Sequence, residues 1–213
     1  MIYLDEYEVD CSEFDELKNS EDFKILKDDI LTLGSRKRAD IYMLNFYGPV
    51  TVDDLIEINE EDYYSNLNSL YKEDEVIWSV PIGAVRGDIV IFMCANSSGT
   101  KASSVCTEIK NRVGIFNDIF DFASAEKNVY KKYSGTIVAW GVLSDFPEER
   151  EDNSKLGWAR VNINDKFDVP VPYSSVKDLF KLNVYGSSTK LNKEEWNNIQ
   201  KVIKTYNPNF KTD

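Results

Sequence analysis

Histidine is missing altogether from the 213 residues. Its absence removes the commonest general base, the usual activator of serine and cysteine nucleophiles, and the commonest metal ligand. Cysteine is scarce: Cys11, Cys94 and Cys106 are odd in number and widely spaced, which matches neither a disulfide framework nor a zinc-ligand pattern. Cys94, inside an apolar run, is expected to be a buried thiol. No run of about 18 apolar residues is present to span a bilayer. The opening residues MIYLDEYEVD are acidic where a secretory signal is basic and then apolar. These absences lead to the expectation of a cytoplasmic protein that binds rather than catalyses, with no cofactor and no metal. The enzymatic alternative is a hydrolase working through carboxylates and Mg²⁺. Its candidate acids, Asp53-Asp54 and Glu60-Glu61-Asp62, lack the Asp-x-Asp-x-Asp-Gly spacing of a cation loop and read as helix starts and solvated faces.

What is abundant is apolar and aromatic. A hydrophobic fraction of 42% suffices for a core, and 12 Tyr, 11 Phe and 4 Trp supply stacking surface beyond it. Acid is abundant too, and unevenly placed. Residues 1–77 hold 7 Lys and Arg against 21 Asp and Glu, leaving 18 against 16 for residues 78–213. A net charge of −12 opposes sequence-independent tracking along a phosphate backbone, whereas the nearly neutral remainder tolerates a nucleotide or a local strand contact.

Taken in order, residues 2–4 suggest a short strand. Phe14, Leu17, Phe23, Leu26, Ile30 and Leu33 then recur at helical spacing, with Ser20 placed to cap a second helix and Gly34 to end it. The basic cluster Arg36-Lys37-Arg38 reads as a nucleic-acid contact or as a solvated helix end that favours cations. Tyr63, Tyr64, Leu67, Leu70 and Tyr71 line one side of a polar helix. Residues 1–74 thus read as an acidic helical N-terminal extension, and residues 75–213 as a separate domain. In that domain strands are expected over 76–81, 88–95, 136–145 and 158–163, with an extended segment over 167–172. Helices are expected over roughly 102–111 and 116–132, in VKDLF, and in LNKEEWNNIQKVIK.

Gly83-Ala84-Val85-Arg86-Gly87-Asp88 lacks the spacing and the Lys-Ser/Thr of a phosphate loop, so a turn that starts a strand is the expectation. Ser98, Ser103 and Ser104 have no partner base. Among the tryptophans, Trp196 shares a helical face with Ile199 and Ile203 and reads as core, while Trp140 reads equally as core or as a pocket wall. Trp158 opens a strand after a polar loop and Trp78 precedes Ser79 at a strand end. These two are the candidates for a partly exposed aromatic clamp.

The order of these elements resembles the PUA-like superfamily and, within it, EVE-type domains, with a weaker likeness to YTH domains. The resemblance is carried by Ile77-Trp78-Ser79, by Arg86-Gly87-Asp88-Ile89-Val90-Ile91-Phe92, by Gly135-Thr136-Ile137-Val138-Ala139-Trp140-Gly141-Val142, by Trp158-Ala159-Arg160-Val161-Asn162-Ile163 and by the terminal Leu-x-x-x-x-Trp helix. It covers roughly residues 75–205. It implies an α+β fold: a small curved antiparallel β-barrel with surrounding helices. The helical insertion over 96–135 departs from the family's pattern by its length and is placed to cover the pocket as a lid. It further implies recognition of a modified nucleobase or nucleotide, free or within nucleic acid, in an aromatic-lined pocket. Trp78 would stack, Ser79 would touch the base edge, Asn96 and Ser97 would hydrogen-bond, and Phe92, Trp140 and Trp158 would supply further rings. The other expectation is a protein-interaction or inhibitor protein whose partner engages the acidic residues 1–74.

Overall fold

Residues 39–47, 52, 66–150, 155–179 and 188–211 are described in the computed structural model. The strand expected at 2–4, the helices of 12–33, the basic cluster at 36–38 and the acid pairs at 53–54 and 60–62 lie outside them. The chain divides into two units, Met1–Ala39 and Asp40–Asp213. Residues 40–74, expected in the acidic extension, thus fall in the second unit. The reason is the segment Ile41–Phe46, strand β1, which the second unit cannot do without. β1 lies between two other strands of the sheet, parallel to one and antiparallel to the other. Five of its six residues are buried, so it shows no alternation of polar and apolar. A short, wholly apolar run of that kind reads as strand or helix alike until its neighbours are known.

The remaining elements follow in chain order. Helix α1 is Asn66–Lys72, β2 is Glu75–Pro81, β3 is Ile89–Cys94, α2 is Ser98–Val113 and α3 is Asp118–Tyr133. Then come β4 (Thr136–Leu143), the two-residue β5 (Glu148–Glu149), β6 (Leu156–Pro172), two 3₁₀ turns (Tyr173–Ser175 and Lys177–Leu179), β7 (Ser188–Leu191) and α4 (Lys193–Tyr206). The helix expected in VKDLF is thus a pair of single 3₁₀ turns. The two segments expected over 158–163 and 167–172 are one continuous strand.

All seven strands join one sheet of order β2-β6-β4-β3-β1-β7, with β5 pairing β6. Every pair is antiparallel except β1 with β3. The sheet is curled, and irregularities in β4 and β6 give the curl a cause. Ile137 pairs Val171 but Ala139 already pairs Lys166, so β6 carries extra residues across from Val138. A second shift falls between Trp140 and Gly141. Unequal residue counts on paired strands bend the longer one and increase its twist. The mixed α+β class and the curved sheet are those expected from the sequence.

Gly141 sits at that second shift for a steric reason. A Cβ built there would lie 2.3 Å from the Asn162 carbonyl oxygen and 2.9 Å from Val161 Cγ1. Gly141→Ala is therefore expected to push β4 and β6 apart and to cost on the order of 1–3 kcal/mol. The midpoint of urea unfolding checks it, and an unchanged midpoint would mean that the two strands already have room.

Each face of the sheet has its own core. Trp78, Phe92, Leu44 and Val161 belong to the face covered by α1 and α3, through Leu70 and Tyr130. Trp140, Ile91, Met43 and Phe167 belong to the other, covered by Trp196, Ile199 and Ile203 of α4. A third, smaller cluster joins Val52 to the α2–α3 hairpin through Cys106, Ile109 and Ala123. Helix α4 starts with a reciprocal cap. Asn192 accepts from the Glu195 amide at 2.9 Å, and the Glu195 carboxylate accepts from the Asn192 amide at 2.8 Å. Cys94 is buried as expected, and that burial pushes its thiol up to about 11, so it is protonated and unreactive at neutral pH.

Candidate functional site

Strand β2 alternates along its length: Val76, Trp78 and Val80 are buried, whereas Glu75 and Ile77 are exposed and Ser79 is partly so. Successive side chains of a strand point to opposite faces. Trp78 and Ser79 are therefore on opposite sides of the sheet and do not touch one ligand together. Trp78 is 8% exposed and packed perpendicular to Phe92, at 4.9 Å between centroids, and to Phe46, at 5.6 Å. Its expected role as a partly exposed clamp is corrected: it is a core residue, and Phe92, fully buried beside it, is another. The α2–α3 insertion takes part in the same packing through Ala102 and Tyr130, which makes it a layer of the core.

Trp140 is separated from both by the thickness of the sheet. It pairs with Ile91, whose side chain lies in the opposite core, and its ring neighbours are Trp196 and Phe210, each at 6.1 Å. Asn96 and Ser97 are exposed where β3 hands over to α2. Ser97 occupies the N-cap position without a side-chain hydrogen bond to the helix. Asn96 Oδ1 lies over Gly135, 2.1 Å from where a Cβ would project, and Gly135 has φ +69°. The backbone dihedral is what favours glycine at 135, since the exposed Asn96 side chain can turn aside.

Two of the expected residues do come together, on the face away from Trp78. Ser79 pairs with Trp158, and Trp158 pairs with Glu148 of β5. Directly paired residues project to the same side. Ser79, Trp158 and Glu148 therefore form one row across three strands. The next row holds Ile77, 67% exposed, paired with Arg160. The Trp158 indole is 45% exposed. The Arg150 guanidinium carbon lies 4.8 Å from its ring centroid, and Arg150 Nη1 donates to Ser79 Oγ at 3.2 Å. Arg160, by contrast, is held at its own end of the row by Asp145, which accepts from the Arg160 amide at 2.7 Å and lies 3.8 Å from Nε.

Arg150 is the residue that motif reasoning passes over. Its signal was the polar loop FPEEREDNSK between two strands: folded back as a hairpin, the loop brings its lone arginine beside the tryptophan that opens the returning strand. The arrangement offers a half-exposed aromatic ring with a planar cation over it, and a hydroxyl that accepts from that cation. It holds no nucleophile–base pair. Among the described residues no group of three acidic, cysteine or histidine side chains is placed to hold a metal ion.

A second aromatic pair lies on the Trp78 side of the sheet, where Tyr71 and Tyr133 have ring centroids 5.8 Å apart. The Tyr71 hydroxyl donates to the Phe167 carbonyl at 3.0 Å. Burial, followed by the neighbouring Tyr133, pushes the Tyr71 phenol well above its ordinary value, so it remains a neutral donor. Its bond joins α1 to β6 and is structural.

No protein-family model matches the chain, and no relative appears among curated proteins. Among solved structures, the NMR structure of Rpa0253 from Rhodopseudomonas palustris is similar. It is 10% identical, with 81% of this chain and 97% of that one covered and a TM-score of 0.41. A likeness at that level bears on neither ligand nor activity. No helix among the described residues is long and apolar enough to cross a membrane.

Proposed function

We propose that this protein is a PUA-like binding protein that stacks a nucleobase on Trp158 and reads its edge through Ser79, without catalysing a reaction. The observation that carries the reading is the half-exposed indole on β6, whose ring already holds a planar guanidinium that is tied in turn to the Ser79 hydroxyl. A base laid on an aromatic ring gains about 1–3 kcal/mol, and every base has a face to offer, so discrimination falls to groups at the edge. The ligand is a modified base, a nucleotide or an unpaired base within a strand. Net charge argues against extended phosphate tracking, because residues 40–213 carry 19 Lys and Arg against 26 Asp and Glu. The mixed α+β class and the curl of the sheet support the PUA-like assignment, in which Trp78 and Phe92 serve the core while the ring that meets ligand is Trp158.

Trp158→Ala is expected to weaken binding by on the order of ten- to a hundredfold, the size of a lost stacking contact. Its melting temperature should stay close to that of the unaltered protein, since exposed positions contribute little to stability. Calorimetric titration with a panel of modified and unmodified nucleotides and short oligonucleotides provides the test. Absence of binding by the unaltered protein across the panel would sink the reading, as would equal binding by the variant.

The acidity that motivates a protein partner is shared once the chain is divided at Ala39. Residues 1–39 hold 6 Lys and Arg against 11 Asp and Glu, a net of −5, against −7 for the remainder. The contrast of residues 1–77 with 78–213 that motivates this second reading therefore runs across both units, and loss of a basic protein partner on deleting residues 1–74 is its test.

A further inference from the structure

The Trp158 ring already has a neighbour of definite chemistry. Arg150 places a flat, positively charged group 4.8 Å from the ring centroid and directs an N–H to Ser79 Oγ. A planar cation over indole is attracted by the negative ring face, a term that a neutral base lacks. The register puts Glu148 opposite Trp158 in the same row, so the two project to the same side, and Glu75, one row beyond Ile77 on β2, faces that side as well. With Arg150 swung away, the row would present an electron-rich face, a hydroxyl oxygen that accepts, and nearby negative charge.

Building on the reading that Trp158 stacks a base, we infer that its ligand is a positively charged, N-alkylated nucleobase, and that Arg150 is an internal stand-in displaced when the base binds. A ring-alkylated purine nucleoside such as 1-methyladenosine or 7-methylguanosine, protonated in mildly acidic solution, offers what the guanidinium offers: planarity, delocalised positive charge and an exocyclic N–H at the edge. A neutral base must displace the guanidinium without replacing its charge. The site therefore discriminates by charge on the ring, and Arg150 raises the threshold that a ligand must clear. Ser79 accepts from the exocyclic amine, while Glu148 sets the preference for a cation.

The test is a tryptophan-fluorescence titration of the full chain, in mildly acidic buffer, with 1-methyladenosine against adenosine and 7-methylguanosine against guanosine. The alkylated nucleosides are expected to bind at least about tenfold more tightly than their parents. Glu148→Gln should narrow that ratio. Arg150→Ala should tighten binding of all four, because the internal competitor is gone, and Trp158→Ala should abolish the response. Equal or tighter binding of the neutral parents would overturn the inference while leaving base stacking intact. Weaker binding by Arg150→Ala would also overturn it, since the arginine would then be holding the ligand. Failure of every nucleoside to bind both the unaltered protein and Arg150→Ala would overturn the stacking function, and with it this inference.

Discussion

Replacing Trp78 with alanine is expected to cost about 3–5 kcal/mol of folding stability, the range for deleting a large aromatic side chain from a packed core. The ring is 8% exposed and meets Phe46 and Phe92 in perpendicular contacts, so its removal takes away buried area and two aromatic edges at once. Neighbours from four strands share the cluster, and they belong to a pleated sheet that does not collapse readily into the void. Urea unfolding followed by far-ultraviolet circular dichroism gives the measurement, with the midpoint falling steeply. A variant of near-native stability that had lost ligand binding would place Trp78 in a pocket instead.

Asp88→Ala is expected to be nearly as damaging, for a polar reason. Asp88 is 1% exposed, and its carboxylate accepts from the Val85 amide and from the Asp40 amide, each at 2.9 Å. The first bond closes the turn before β3. The second ties the entry of β1 to the entry of β3, where the Ile89 amide also donates to the Asp40 carbonyl at 2.9 Å. These parallel strands have no short connection, so such a tie sets their register. Removing the carboxylate deprives one buried and one partly buried amide of it, at about 1.5–3 kcal/mol for each charge-assisted bond, less where water reaches the Asp40 amide. Asp88→Asn should fall between, because its amide nitrogen cannot accept. Should Asp88→Ala unfold at the same denaturant concentration as the unaltered protein, the tie would be dispensable.

The turn at Gly83–Asp88 shows how far local pattern reaches. Gly87 has φ +90°, the conformation its residue type allows, and the segment is a turn that leads into a strand, as its composition indicates. Nothing local reveals that the aspartate beside it reaches a residue 48 positions earlier. Helices α2, α3 and α4 were legible from apolar recurrence, while the caps at Asn117 and Asn192 came from the structure. Strand β7, by contrast, is four residues long with one buried, too short to carry a pattern. The candidate site was legible in pieces. Trp158 after a polar loop stood out, and the strand period of two already places Ser79 opposite Trp78. The pairing of Ser79 with Trp158, and the return of Arg150 over the ring, depend on β2 meeting β6 from some 80 residues away in sequence.

By itself, then, the amino-acid sequence determined what repeats over a few residues: the absence of histidine chemistry, the mixed α+β class, most helices and strands, and the alternation within β2. Tertiary structure alone decided that β1 belongs to the sheet, that Trp78, Phe92 and Trp140 are divided between two cores, and that Trp158, Ser79 and Arg150 share one surface. Periodicity is set by the geometry of the chain between near neighbours, and it is written in every short window. Which strand lies beside which, and which face of a curled sheet stays open, follows from burial summed over the whole unit, and no short window contains that sum.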